Sequence, residues 1–366
     1  MEKWSKIAVW TMIVILGAYG GVMAWQVPDT GQTTCYDTAA KLTACPAEGG
    51  AFYGQDAQYE INPPSYDDKV GDDMVKDNNT GLIWEVKTAD NKDITYTWDD
   101  AVKYADNLTL GGYSDWRLPT YKELSLIANR GMADPAVDPF FFPNTVANNY
   151  WSSTEYSTSP GWFFIVKFSN GRGEWHNKTE KWYVRAVRGE ELSEPMIINN
   201  GDGTVTDITT KLMWQKAPES KNWGDSLRYC EGLELANYKD WRMPNIAELQ
   251  SLFNYSSNTN VLYESNLQSL WSSTSRAESG NYHHAWYFSI VGNIDPTDKA
   301  SGARNVHAVR GPVTSLFNLN HAILILKVLA GVELKEGEGV PEFNVNNNKK
   351  LDLAELIYVL AYLANP

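Results

Sequence analysis

The chain repeats itself, and an internal repeat dictates architecture before any single element is assigned. Asp77-Asn78-Asn79-Thr80-Gly81-Leu82-Ile83-Trp84 recurs as Asp207-Ile208-Thr209-Thr210-Lys211-Leu212-Met213-Trp214, and Thr97-Trp98-Asp99-Asp100-Ala101 as Asn222-Trp223-Gly224-Asp225-Ser226. Tyr113-Ser114-Asp115-Trp116-Arg117-Leu118-Pro119, followed by Glu123, returns as Tyr238-Lys239-Asp240-Trp241-Arg242-Met243-Pro244, followed by Glu248. Trp151-Ser152-Ser153-Thr154 returns as Trp271-Ser272-Ser273-Thr274, and Val184-Arg185-Ala186-Val187-Arg188-Gly189 as Val306-His307-Ala308-Val309-Arg310-Gly311. The blocks keep their order, which chance does not do. Two tandem domains follow, residues 73–189 and 199–311, each of ordinary domain size.

Within a copy, Leu82 to Val86 is strand-like, and Trp98 to Leu108 carries apolar residues at helical spacing after Thr97, a good N-cap. A second short helix is expected after Pro119-Thr120. The later part alternates in polarity through Trp162 to Phe168 and turns at Asn170-Gly171, a hairpin signal. Helices first and antiparallel strands second predict an α+β domain. The formal net charge of −14 opposes nucleic acid and other polyanions, whose binding is built on Lys and Arg.

The order of a strand ending in Trp84, then Trp116-Arg117-Leu118-Pro119 with Glu123 on the next helix, Trp151-Ser152-Ser153-Thr154 and a closing Arg185-Ala186-Val187-Arg188-Gly189 resembles the C-terminal domain of the Legionella collagen-like adhesin. The resemblance covers both copies, and the prelude Val27 to Gln32 is similar to the leaders of such secreted proteins. That family is related in fold to the C-type lectins and formylglycine-generating enzymes. The resemblance therefore implies two tandem C-type-lectin-like domains with small antiparallel sheets, in an extracellular binding protein. The adhesin's sulfated polysaccharide ligand is not carried over, because an acidic chain repels it.

Residues 1–24 read as a secretory signal, with Lys3 and Lys6 before an apolar run and Val22 and Ala24 at a small-residue cleavage pattern. Membrane attachment would arise only from an uncleaved signal. In the leader, 25–72, Cys35 and Cys45 are expected to pair in an oxidising compartment, leaving Cys230 as a buried small hydrophobe.

Arg117 with Glu123, Arg242 with Glu248, and the duplicated Arg188 and Arg310 are read as structural ion pairs, since a charge set among Trp and Leu is more often a paired scaffold charge. Trp84, Trp98, Trp116 and Trp151 recur and are expected in the core. Trp162 (with Trp286 as its counterpart), Trp175, His176 and Trp182 are the candidates for an exposed stacking surface. No nucleophile has an oriented base, and no cysteine pair or histidine cluster recurs, so the chain is read as no enzyme. From 312 to 366 the pattern is two apolar helices around a polar loop, an α-helical hairpin tail that resembles half of a dockerin. In it Asn344, Asn346, Asn348, Lys350, Asp352 and Glu355 are weak candidate calcium ligands, the only cofactor the sequence suggests.

The function expected is exported, non-catalytic recognition on or outside a bacterial cell. The partner would be an extracellular glycan or protein surface, with the tail tethering to a cohesin-like or self partner. A structural unit of an extracellular filament and a formylglycine-generating-type enzyme are the other two classes.

Overall fold

A computed structural model describes residues 25–312 except 258, 263–268 and 290, together with 326 and 329. The expected signal segment, the tail hairpin and the calcium-loop candidates Asn344 to Glu355 lie outside the described residues.

Copy 1 opens with β1 (Tyr66–Asp67), β2 (Met74–Asp77) and β3 (Ile83–Glu85). The turn between β2 and β3 forms because Asp77 accepts from the Asn79 amide at 2.9 Å and the Thr80 hydroxyl at 2.7 Å, while Gly81 takes a positive φ of 77°. Helix α1 (Trp98–Asp106) starts where Thr97 accepts from the Asp100 amide. Helix α2 (Tyr121–Leu126) starts at a capping box made by Thr120 and Glu123. The hairpin sheet follows as β4 (Asn149–Glu155), β5 (Trp162–Lys167) and β6 (Arg172–Asn177), and β7 (Val187–Arg188) returns to pair with β3.

Copy 2 repeats the plan. Its first sheet contains β8 (Ile197–Asn199), β9 (Thr204–Asp207) and β10 (Leu212–Gln215), after which β11 (Glu219–Lys221) begins a second sheet. Helices α3 (Trp223–Glu231) and α4 (Ile246–Ser251) are capped by Asn222 and Asn245. A short ribbon, β12 (Phe253–Asn254) with β13 (Thr259–Asn260), precedes β14 (Leu270–Ser275), β15 (His284–Phe288), β16 (Ile294–Asp298) and β17 (Arg304–Val306). Finally β18 (Val309–Arg310) closes the first sheet against β10.

The expected C-type-lectin-like α+β fold is overturned. The described residues are mostly small antiparallel sheets, 12% helical, in an arrangement like a four-bladed propeller. Each copy builds two main sheets, to which copy 2 adds the β12–β13 ribbon, because the strands at its start and end pair with each other (β3 with β7, β10 with β18) and leave the hairpin strands as a blade of their own. Both helices per copy exist, but they are short connectors between blades.

The copies meet through equivalent elements. Helix α2 packs against α4, and β6 lies beside β16. Tyr121 sits edge-on to Tyr255 at 5.4 Å, and Arg172 pairs with Asp295. The leader is part of the same core, since Trp25 and Val27 are buried with Leu126 of copy 1 and with Trp214, Leu249 and Trp286 of copy 2. Its Cys35–Cys45 disulfide is formed.

Candidate functional site

The duplicated Arg and Glu residues converge at the starts of α2 and α4. Arg117 grips both carboxylate oxygens of Glu123 at 2.7 Å, and Glu123 also accepts the Thr120 amide at 2.8 Å. Arg242 and Glu248 repeat this fork, with side chains only 5% and 3% exposed against 21% for Arg117. A capping-box glutamate that doubles as a bidentate arginine partner pins helix to sheet. Arg188 and Arg310 work differently. They face outward, bound to Asp115 and Asp240 at 2.8 Å, and stack over Tyr113 at 3.6 Å and Tyr238 at 3.7 Å.

Four of the five stacking candidates gather on the hairpin sheet of copy 1, divided between its faces. The register pairs Phe163 with His176 and Phe164 with Trp175, so Trp162 and Trp175 lie on one face and His176, with Trp182, on the other. Trp162 is 37% exposed. Trp175 is half-buried and stacks on Tyr156 at 4.4 Å. His176 lies 2.9 Å from Glu180 and 3.5 Å from Glu174, edge-on to Trp182 at 5.0 Å. The hydrogen bond to Glu174, with Glu180 adding to it, raises the His176 pKa and favours the imidazolium. Beside them the half-buried Trp98 stacks on Phe163 at 3.8 Å, and Lys178 reaches Asp99 at 3.3 Å. Trp286 is a correction. It is 1% exposed, and its carbonyl accepts the Ser272 hydroxyl at 2.7 Å just as that of Phe164 accepts Ser152 at 2.7 Å. Its counterpart is therefore Phe164, two residues from Trp162, and on an alternating strand that shift keeps the inward face.

On copy 2 the side equivalent to that of Trp98 and Phe163 is covered by the leader. Phe52 stacks on Trp223, the equivalent of Trp98, at 6.1 Å, and Lys299 sits 4.2 Å over its ring while donating to the Asp37 carbonyl at 2.8 Å. Trp223 is consequently fully buried. Burial pushes the Lys299 ammonium down to about 7.

The leader also drives carboxylates into the protein, a feature the sequence reading missed. Asp56 accepts from the hydroxyls of Thr30 at 2.7 Å and Thr274 at 2.6 Å, within the field of Arg242. Asp29 lies against it, and burial first, then the Asp56 charge, pushes the Asp29 carboxyl up to about 9. Gln32 pairs its carboxamide with the amide and carbonyl of Ser275 at 2.9 and 2.6 Å. These partners are 218 and 243 residues apart, beyond any local pattern.

Cys230 is buried and burial drives its thiol pKa far upward, so a thiolate is disfavoured there. The hydroxyls of Ser152 and Ser272 are spent on strand carbonyls. Among the described residues no group of three or more His, Cys, Asp or Glu could hold a metal ion, and no helix is long and apolar enough to cross a membrane. What the copy 1 hairpin offers is aromatic surface flanked by a histidine and carboxylates, suited to stacking and charged hydrogen bonds.

Comparison with curated proteins finds no match. The model of the Lcl C-terminal domain matches twice, at residues 73–188 and 203–310, the two repeats that organise the fold. With more than half of its length matched, the chain belongs to the Lcl C-terminal domain family.

Proposed function

We propose that the protein is an exported, non-catalytic, adhesin-like recognition protein that takes an extracellular glycan at the rim of the copy 1 hairpin. There the Trp98 amide bonds the Lys178 carbonyl at 3.0 Å, and the Lys178 amide bonds the Gly161 carbonyl beside Trp162 at 2.9 Å. Family membership supports the adhesin-like role. One observation carries the choice of copy: Trp98 and Trp162 are both partly exposed at the rim in copy 1, while in copy 2 the leader seals Trp223, the equivalent of Trp98. Aromatic rings with a wet edge and an apolar body suit the apolar faces of sugar rings. His176, Glu174 and Glu180 supply polar groups for hydroxyls at the rim. The tail would serve as a tether to a partner.

A glycan array read with the full chain and with Trp162→Ala tests this. Binding to the glycans recognised should fall by about tenfold in the variant, equivalent to about 1.4 kcal/mol. Equal signals from both proteins, or none from either, would assign recognition elsewhere.

A further inference from the structure

The leader's seat on copy 2 has a twin on copy 1. In copy 2 the Arg276 amide bonds the His284 carbonyl at 3.0 Å, which turns the amide and carbonyl of Ser275 away from β15 and toward Gln32. In copy 1 the Tyr156 amide bonds the Trp162 carbonyl at 2.7 Å, so the amide and carbonyl of Glu155 turn outward in the same way. Neither has a hydrogen-bond partner among the described residues. The supporting threonine is repeated as well: Thr274 accepts the Ile246 amide at 3.0 Å, and Thr154 accepts the Tyr121 amide at 2.9 Å. The far wall matches too. Thr30 of the leader accepts the Arg130 amide at 2.7 Å, and the positions equivalent to Arg130 and Gly131 are Tyr255 and Ser256, which line a cleft of about 370 Å³ together with Thr120, Lys122, Thr154 and Glu155.

We infer that this cleft between the copies binds an extended peptide of a partner protein, whose Gln or Asn carboxamide pairs with the backbone of Glu155 as Gln32 pairs with Ser275. An exposed strand edge is an ordinary template for such a peptide. The charge differs between the twins. The copy 2 seat has Ser275 and Ala247 where copy 1 has Glu155 and Lys122, and copy 2 receives the acidic Asp56. Lys122 is neutralised by Glu194 at 2.8 Å, which leaves the carboxylates of Glu191 and of Glu155, the latter also accepting the Gly161 amide at 2.8 Å, as uncompensated charge at the cleft. The peptide's flanking residues are therefore basic. The cleft adjoins the hairpin rim assigned to glycan, but Trp98, Trp162 and His176 are not among its lining residues.

Fluorescence anisotropy of the full chain with a fluorescein-labelled Lys-Val-Thr-Gly-Gln-Lys peptide tests the inference. Saturable binding is expected, at least tenfold weaker for the peptide with Ala in place of Gln and for Glu155→Lys, and unchanged in Trp162→Ala. Glu155 is exposed and its side chain accepts one loop amide, that of Gly161, so its substitution leaves the fold in place, as a melting temperature within a degree or two of the wild type would confirm. Absence of saturable binding, or equal binding by Glu155→Lys, overturns the inference. A carbodiimide cross-link from Glu155 to Lys349 or Lys350 of the same chain would give the cleft to the chain's own tail, and would also overturn it.

Discussion

Arg242→Ala is expected to lower the free energy of unfolding by about 3 to 5 kcal/mol, because it strands the Glu248 carboxylate in the interior. Glu248 is 2% exposed, and its remaining partner is the Asn245 amide at 2.9 Å. The stranded charge would also face Asp56, which the Arg242 guanidinium now offsets. Arg117→Ala should cost less. Glu123 keeps two amide donors, Thr120 at 2.8 Å and Leu192 at 3.2 Å, and its arginine is already one-fifth exposed to water. Urea unfolding of the two variants gives both values. Replacing the copy 2 pair together, as Arg242→Met with Glu248→Leu, should recover most of the loss, since an apolar pair strands no charge. Wild-type stability in Arg242→Ala would contradict a scaffold role for the pair.

The second large effect is a pH dependence carried by the leader. Asp29 and Asp56 share one buried pocket with Glu248 and Arg242, and the Asp29 pKa is raised in the fold to about 9 from an ordinary value near 3.8. A carboxyl with a raised folded pKa keeps its proton in the native state while the unfolded chain releases it. Its stabilising contribution is complete below the unfolded pKa and is lost as pH rises through the window up to the folded value. The wild-type chain should therefore lose about 2 to 3 kcal/mol of stability between about pH 5 and pH 8 through this group, well short of the limit of about 1.4 kcal/mol per pH unit. Asp29→Asn does not titrate, and its amide can donate toward Asp56. Its denaturation midpoint should fall less than the wild type's across that window, the remainder coming from groups such as Asp56, and should exceed the wild type at pH 8. Parallel pH profiles for the two proteins would show that Asp29 is ionised in the fold.

Local signals were legible wherever a residue and its partner lie within a few positions. The capping boxes at Thr120 and Asn245, and the forks Arg117–Glu123 and Arg242–Glu248, span three to six residues, so spacing alone reveals them. The duplication was legible for the same reason, as blocks of aromatic and turn residues. The assembly of strands into blades was not. The pairing of β3 with β7 joins residues about a hundred positions apart, and no periodicity encodes it. Trp286 was misread because a register shift of two keeps every side chain on its face, so the alternating pattern does not tell Trp162 from Phe164 as its counterpart. The covering of one copy and not the other escaped detection because it depends on where the leader returns, through Phe52, Asp56 and Gln32.

The leader makes two similar copies unequal, sealing the aromatic surface at Trp223 in one and leaving that at Trp98 partly open in the other. Hydroxyl-radical footprinting of the native chain, read by mass spectrometry, tests it directly. Trp162 and Trp98 should be oxidised readily, Trp223 and Trp286 should be protected, and mixing with the glycans found on the array should protect Trp162 in turn. Equal oxidation of Trp98 and Trp223, or a Trp162 that the glycans leave fully reactive, would contradict the account.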